Sequence, residues 1–281
     1  MAKLENYRGS LEISAGLKPM GDFPVAEAHD ILVDSNGTRL DDALKLALDT
    51  IIGDGTIGLA YQLNASANWV TCTGIGNTKE THIKIAEHII GMPVHDIGNS
   101  AFSYCKSLQS VDFGNSVNTI GISAFSYCAN LLRIEMGDGV RNIGDKAFMG
   151  CTKLYSVTIG NGVTGIGSQA FSSCTNIESV TIPDSVTYIG ESAFYGCTSL
   201  NNVTFGNGVT NIQGDIFAGC TMLRKVYIPD SITSIAAGVF KNCTRLTDVY
   251  YTGSESEWAA ITKGTNNGNL ANATIHYNYQ G

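Results

Sequence analysis

The stretch of sequence that decides the fold is residues 144–189, which reads GDKAFMGCTKLYSVTIGNGVTGI (144–166) followed by GSQAFSSCTNIESVTIPDSVTYI (167–189). Both halves contain 23 residues, and Ala-Phe, Cys, Val-Thr-Ile and a final Ile fall at the same places in each. A fixed period of this length is the signature of a repeat protein, whose units stack on one another. The period therefore has to be followed in both directions along the chain.

The unit occurs seven times without an insertion. Its phenylalanine column is Phe102, Phe125, Phe148, Phe171, Phe194, Phe217 and Phe240. A cysteine follows each phenylalanine three residues later, at Cys105, Cys128, Cys151, Cys174, Cys197, Cys220 and Cys243. Aliphatic residues lie six and nine positions after each phenylalanine. Seven copies in one register predict a single continuous array.

The period is too short for a pair of helices. Alternating apolar positions that end in Gly-Asn-Gly or Pro-Asp-Ser predict a short strand followed by a turn. Each unit is thus predicted to form one coil of a mainly β solenoid, with parallel strands about 4.8 Å apart and identical core residues stacked from coil to coil. Gln213 and Ala236 replace the glycine of the earlier coils, and Ile216 and Val239 replace an alanine, so we expect a different width in the last two coils.

The pattern Ile-Gly-x-x-Ala-Phe-x-x-Cys-x-x-Leu-x-x-Val-x-Ile-Pro resembles the BspA-like class of leucine-rich repeats over residues 92–251. This resemblance implies a right-handed leucine-rich-repeat coil. It also implies adhesion or recognition at surfaces, since BspA-like proteins are associated with attachment to host proteins and other cells. Residues 56–91 resemble the hairpin that caps the start of such arrays, and residues 252–281 resemble their C-terminal cap.

Residues 1–55 contain no repeat. An apolar run at 31–33, a turn signal at 34–37 and a helical apolar stripe over 40–51 predict a strand, a turn and one helix. This small α/β segment is too short to bury a core of its own, so we expect it to serve attachment or oligomerisation. It resembles leader segments of tail-associated structural proteins of bacteriophages and prophages. The residues that carry this resemblance are 21–30 and 36–40.

Composition and charge exclude several classes of partner. The formal charge is −8, from 25 acidic and 17 basic residues, and no Lys/Arg run is long enough to follow a phosphate backbone, which argues against nucleic acid. No apolar stretch reaches the roughly 18 residues of a membrane-spanning helix. The opening residues lack the pattern of a secretory signal, and no membrane anchor is visible. We expect a protein that is extracellular and at the cell surface, or associated with a virion.

The cysteine column is the most conspicuous candidate for chemistry. Zinc needs thiolates that converge on one point at about 2.3 Å, whereas a ladder spreads them along a line about 4.8 Å apart. The same spacing separates sulfurs too far for disulfides. We therefore predict buried thiols that pack as small apolar groups, and expect a serine at Cys174 to lack a hydrogen-bond partner. No catalytic, metal or cofactor motif occurs, so the sequence predicts no enzyme.

The outward positions of the predicted strands vary while the inward positions hardly change, as in repeat proteins that display a ligand surface on one face. Tyrosines there are rigid groups suited to anchor a protein or glycan ligand, although tyrosine also suits a β surface that binds nothing. The predicted ligand-binding surface consists of Arg133, Glu135, Tyr155, Thr158, Glu178, Thr181, Asn202, Thr204, Arg224, Tyr227 and Tyr250.

Two functions remain open on the sequence alone. The first is a non-enzymatic binding or adhesion module, whose ligand is a protein or glycan on a host or bacterial surface. The alternative is a tail-associated structural or receptor-binding component of a bacteriophage or prophage, attached through residues 1–55. That segment would also be the site of any homo-oligomer, and neither function requires nucleic acid or membrane insertion.

Overall fold

The computed structural model describes residues 58–64, 69–76, 78–89 and 92–280. Within these residues the chain is a mainly β, parallel solenoid of about nine coils with little helix, which confirms the predicted fold class. The strand, turn and helix predicted for residues 1–55 lie outside the described residues.

The structure has twenty short strands and two short helices among its described residues. Before the repeats come β1 (Ala60–Asn64), β2 (Trp69–Gly74), β3 (His82–Lys84), β4 (His88–Ile89) and β5 (Met92–Ile97). The repeats contain β6 (Ser110–Asp112), β7 (Thr119–Ile120), β8 (Arg133–Glu135), β9 (Asn142–Ile143), β10 (Ser156–Thr158), β11 (Gly165–Ile166), β12 (Ser179–Ile182), β13 (Tyr188–Ile189), β14 (Asn202–Phe205), β15 (Asn211–Ile212), β16 (Lys225–Ile228), β17 (Ser234–Ile235) and β18 (Asp248–Tyr251). The chain continues with α1 (Glu255–Ala260), β19 (Thr262–Lys263), α2 (Gly268–Ala271) and β20 (Thr274–His276).

One side of the solenoid is built from the Val-x-Ile segments. Their strands pair in parallel in the orders β3-β6-β8-β10 and β12-β14-β16-β18-β20. Side chains alternate along each strand, as in β12, where Val180 and Ile182 are buried while Ser179 and Thr181 are exposed. This alternation follows from the two-residue period of a strand. We call the outward surface of these nine strands the ligand face.

A second side carries the Val-x-x-Ile segments. Their two-residue strands pair in parallel as β5-β7-β9-β11-β13 and as β15-β17-β19. At the N-terminal end β2 pairs in parallel with β5, while the hairpin partner β1 runs antiparallel to β2. In β7, β9, β11, β13, β15 and β17 the isoleucine points inward and is buried, whereas both residues of β19 are exposed. These strands close the coil opposite the ligand face.

The Ala-Phe turns form the third side and are tied together by backbone hydrogen bonds. The Phe171 N–H donates to the Ala193 carbonyl at 2.8 Å, and the Phe148 N–H donates to the Ala170 carbonyl at the same distance. All seven rings are completely buried, and neighbouring rings stack with interplanar angles of 18° or less. The predicted inward direction of this column is therefore confirmed.

The cysteine ladder lies beside the phenylalanine stack. Its thiols are unpaired with one another, since all eight cysteines of the chain are free. Each interior thiol donates a hydrogen bond to the phenylalanine carbonyl of the preceding coil, as Cys174 Sγ does to Phe148 O at 3.1 Å. The prediction that a serine hydroxyl at position 174 lacks a hydrogen-bond partner is wrong. The turn leaves the Phe148 carbonyl facing the side chain at this position.

The phenylalanine rings of the last two coils are spaced more widely than the others. Ring centroids lie 4.9 to 5.3 Å apart from Phe102 to Phe194, but 5.7 and 6.0 Å apart for the last two pairs. In the narrow coils a Cβ on Gly190 would lie 2.4 Å from the backbone nitrogen of Ser168. The replacements Gln213 and Ala236 carry that Cβ, and the rings of the coils that contain them are spaced more widely; the predicted difference in coil width stays a prediction.

The C-terminal end continues the solenoid for one further coil. Helix α1 starts with a capping box, in which the Ser254 hydroxyl accepts from the Glu257 N–H and the Glu257 carboxylate accepts from the Ser254 N–H. Its Trp258 packs edge-on against Tyr251, with ring centroids 5.1 Å apart. Two-residue β19 and three-residue β20 then extend the two sheets by one strand each.

Candidate ligand-binding face

The predicted ligand residues all lie on one side of the solenoid. Strand pairing places Glu135, Thr158, Thr181, Thr204, Tyr227 and Tyr250 in one outward column, with Arg133 and Asn202 in the column two residues earlier. Tyr155, Glu178 and Arg224 immediately precede their strands. The structure therefore brings the predicted residues onto one surface, and two groups of them lie in distinct environments at its ends.

The first environment is an open concavity of about 900 Å³ across β3, β6, β8 and β10. Three predicted residues, Arg133, Glu135 and Thr158, line it. Its other polar lining residues, which lie outside the predicted ligand-binding set, include His82, Lys84, Glu87, Ser110, Asp112 and Asp138. We call this region the polar end of the ligand face.

Carboxylates are more numerous than cations at the polar end. Asp112 and Glu135 are register partners on adjacent strands, and Asp138 follows in the next turn. The Asp112 carboxylate accepts a hydrogen bond from the Gly114 N–H at 2.9 Å, and Asp138 accepts from the Asn161 N–H at 3.0 Å. Each carboxylate therefore stabilises a turn, Asp112 in its own coil and Asp138 in the next coil, and both side chains are also exposed to solvent.

The second environment is aromatic and lies across β16, β18 and β20. Tyr227 and Tyr250 stack with centroids 4.8 Å apart and an interplanar angle of 12°. His276 stacks on the other face of Tyr250 at 4.6 Å and 11°. Tyr279 leans on both tyrosines, with centroids 5.5 and 4.9 Å away and interplanar angles of 51° and 57°. These four residues are called the aromatic cluster.

Tyr155 stands apart from the aromatic cluster. It lies three coils before Tyr227 and one position before its strand, so its column differs from that of Tyr227 and Tyr250. Its side chain is 50% exposed, whereas Tyr227 and Tyr250 are half-buried by stacking. The three tyrosines that the sequence singled out together therefore form a pair and a separate residue.

His276 and Tyr279 were not predicted as members of the ligand face. His276 follows Tyr250 by 26 positions where the repeats would place it at 23, because α1, β19 and α2 intervene. The apolar alternation of Thr274-Ile275-His276 is the one sequence signal that could have identified this strand. Tyr279 reaches the cluster because its N–H donates to the Tyr251 carbonyl at 3.0 Å.

A side-chain hydrogen bond anchors the last strand of the ligand face. The His276 Nε2–H donates to Asp248 Oδ1 at 2.8 Å, and the Thr247 hydroxyl donates to Asp248 Oδ2 at 2.8 Å. These hydrogen bonds, first that from His276, hold the pKa of Asp248 below its usual range. Lys225, the register partner of Asp248, places its Nζ 6.0 Å from the centroid of the Tyr250 ring.

The buried thiols are poor candidates for chemistry. Burial raises the pKa of Cys105 to about 11 and that of Cys243 to about 12. It also raises the pKa of Cys72, outside the ladder, to about 12. Because the thiolate is the nucleophile and the metal ligand, these side chains are unreactive at neutral pH. The described residues contain no group of three or more His, Cys, Asp or Glu side chains placed to hold a metal ion.

Comparison with known proteins identifies the family. A model described as the BspA type leucine rich repeat region matches six copies of the repeat over residues 75–184 and 164–258, which is more than half of the chain. The chain belongs to the BspA-type leucine-rich repeat family. Comparison with curated protein sequences gives no match. In the described part of this BspA-type chain, no helix is long and apolar enough to span a membrane.

Two solved structures of leucine-rich repeat proteins are similar to this BspA-type chain. One, a leucine-rich repeat protein of T. pallidum, is 33% identical, with a TM-score of 0.63 over 67% of this chain and 88% of that one. A second, from Bacteroides ovatus, is 21% identical, with a TM-score of 0.56 over 79% of this chain and 78% of that one. The first supports the family and the second supports the fold.

Proposed function

We propose that this BspA-type chain is a non-enzymatic binding module that recognises a protein or glycan ligand through the ligand face. Leucine-rich repeat solenoids are typically protein-binding or adhesion modules, which supports this function at the level of the family. We propose in addition that the ligand lies on a host or bacterial surface, as the attachment role of BspA-like proteins implies.

The observation that carries the proposal is the contrast between the two sets of columns on β6 to β18. Inward positions repeat the same apolar residues and are buried, whereas outward positions change identity along the array. Packing does not require that variety, since an outward side chain contacts only its neighbours on the sheet surface and solvent. A surface that presents a different set of groups at each coil is suited to a specific partner.

Binding of labelled full-length protein tests the proposal. We would expose bacterial cells, extracellular-matrix proteins and a glycan array to the wild type and to two variants of the ligand face, Tyr227→Ala/Tyr250→Ala and Arg133→Ala/Glu135→Ala. The matched control is Tyr188→Ala, because Tyr188 is 52% exposed but lies on the second side, in β13. We expect at least one face variant to lose binding about tenfold or more, as truncation of an interface anchor does.

The outcomes separate the ligand face from the rest of the surface. Loss in a face variant with retention in Tyr188→Ala supports the proposed site, and the probe that binds identifies the ligand class. Binding that only Tyr188→Ala weakens would place the site on the second side and contradict the proposal. Equal binding by all variants would also contradict it.

A further inference from the structure

The central ring of the aromatic cluster, that of Tyr250, has no open face. Strand order places Tyr250 between Tyr227 and His276, so both faces of the Tyr250 ring are covered at 4.8 and 4.6 Å. Tyr279 packs at an angle against Tyr227 and Tyr250 and covers more of the pair. The central Tyr250 ring consequently offers a ligand its edge and its phenolic hydroxyl.

This geometry matters for the class of ligand. A sugar that stacks on tyrosine lays its C–H groups on an open ring face, and the faces of Tyr250 are occupied. Ring edges and hydroxyls instead suit the side chains and backbone of a protein, and tyrosine and arginine are enriched at the centres of protein interfaces. The centre of the cluster is therefore better suited to a protein than to a glycan stacked on Tyr250.

Two cations occur on β16 and at the residue before it, and Lys225 places its Nζ 6.0 Å from the centroid of the Tyr250 ring. Arg224 and Lys225 are both exposed, and Arg224 has no ion pair within the described part of the chain. The nearby acid, Asp248, already accepts hydrogen bonds from His276 and Thr247. In a chain of formal charge −8, this end of the ligand face is thus locally cationic, while the polar end has an excess of carboxylates.

We propose that the aromatic cluster together with Arg224 and Lys225 binds an acidic segment of a protein partner. Carboxylates of the partner lie against the guanidinium and ammonium groups and accept hydrogen bonds from the tyrosine hydroxyls, while its apolar parts contact the ring edges. Charge complementarity selects this end of the face over the polar end, where Asp112 and Glu135 repel the same segment. The inference rests on the proposed function and assigns a partner class to part of its surface.

A random library of displayed 12-residue peptides, selected on immobilised full-length protein, tests the inference. We expect enrichment of peptides with two or more Asp or Glu residues. Selection on Arg224→Gln/Lys225→Gln should lose that enrichment, whereas the matched variant Arg133→Gln, which removes a cation from the polar end, should keep it. A synthetic peptide of the enriched sequence should bind the double variant at least tenfold more weakly, and salt should weaken its binding to the wild type.

A second variant tests the contact through ring edges. Tyr250→Phe preserves the ring and its stacking but removes the hydroxyl, so we expect several-fold weaker peptide binding. A ligand stacked on a ring face would tolerate this change. A panel of sialylated and sulfated glycans forms the other arm of the experiment, because these ligands share the anionic charge without the peptide.

Each outcome decides the inference. The inference is supported if acidic peptides bind the wild type and this binding is lost in Arg224→Gln/Lys225→Gln. Peptide binding that is lost only in Arg133→Gln would overturn the inference and leave the proposed function of the ligand face intact. Anionic glycans bound more tightly than any peptide, and lost in the same double variant, would overturn the protein class of the partner. No enrichment from either source would overturn this inference and count against the proposed function as well.

Discussion

The phenylalanine stack and the outward column that ends at Tyr250 are built on the same coils, yet they differ in every respect but spacing. The stack repeats one residue seven times, wholly buried, with ring centroids 4.9 to 6.0 Å apart. The outward column runs Asp112, Glu135, Thr158, Thr181, Thr204, Tyr227 and Tyr250. Inside, each ring must fill the space between two identical rings, so a change in one coil affects both neighbours. Outside, no such constraint operates.

This difference separates the residues that stabilise the fold from those to which the proposed function assigns ligand binding. The inward ladders hold the coils together and give no information about the ligand. The outward columns lie outside the core, and the proposed function assigns ligand binding to them. Four predictions test this separation, in order of decreasing effect on the free energy of unfolding.

Alkaline pH should produce the largest loss of stability. Burial raises the pKa of ladder thiols such as Cys197 and Cys220, whereas an unfolded cysteine titrates near pH 8.5. The folded protein then holds more protons than the unfolded chain, so the stabilising contribution is complete below about pH 8.5 and is lost as pH rises toward the folded pKa. Each such thiol should cost about 1.4 kcal/mol per pH unit in that window.

Urea titrations at pH 7.5, 9 and 10 under reducing conditions measure this slope. Cys174→Ala/Cys197→Ala should show a shallower loss than the wild type, since two of the titrating thiols are gone. A stability that stays constant between pH 7.5 and 10 would contradict buried, protonated thiols.

Phe171→Ala should be the most damaging single substitution among those considered. The ring lies between Phe148 and Phe194 at 5.3 and 5.1 Å, and its removal leaves a cavity in the middle of the stack. We expect a loss of about 3–5 kcal/mol in the free energy of unfolding, measured by urea denaturation. A loss below about 1 kcal/mol would show that the ring contributes little to the core.

Cys174→Ser and Cys174→Ala form a matched pair with a smaller effect. Alanine loses the contacts of the sulfur and its hydrogen bond to Phe148 O, which should cost about 1–2 kcal/mol. Serine keeps a donor for that carbonyl, so it should be no less stable than alanine. If serine were clearly less stable in urea titrations, the hydroxyl would be buried without a partner.

Tyr155→Ala should have the smallest effect on stability. The side chain is 50% exposed and belongs to none of the ring stacks of the described residues. We expect a change within about 0.5 kcal/mol by urea denaturation. A larger loss would mean that outward residues also hold the coils together, and the separation of stability from recognition would fail.

The sequence by itself determined the coil. A 23-residue period, an inward phenylalanine and the alternation around Val180 and Ile182 predict parallel strands and buried columns, because a strand points successive side chains to opposite faces. The wider ring spacing at the last two pairs coincides with Gln213 and Ala236, where the earlier coils have glycine.

Only the tertiary structure decided which outward residues meet. It paired Tyr227 with Tyr250 and left Tyr155 apart, and it added His276 and Tyr279 from a stretch that departs from the period. It also gave the Cys174 thiol a carbonyl partner. The physical reason is that side-chain direction follows from local spacing, whereas lateral neighbours depend on the hydrogen-bonded register between coils. Where α1 and α2 interrupt the repeat, that register can no longer be counted from the sequence.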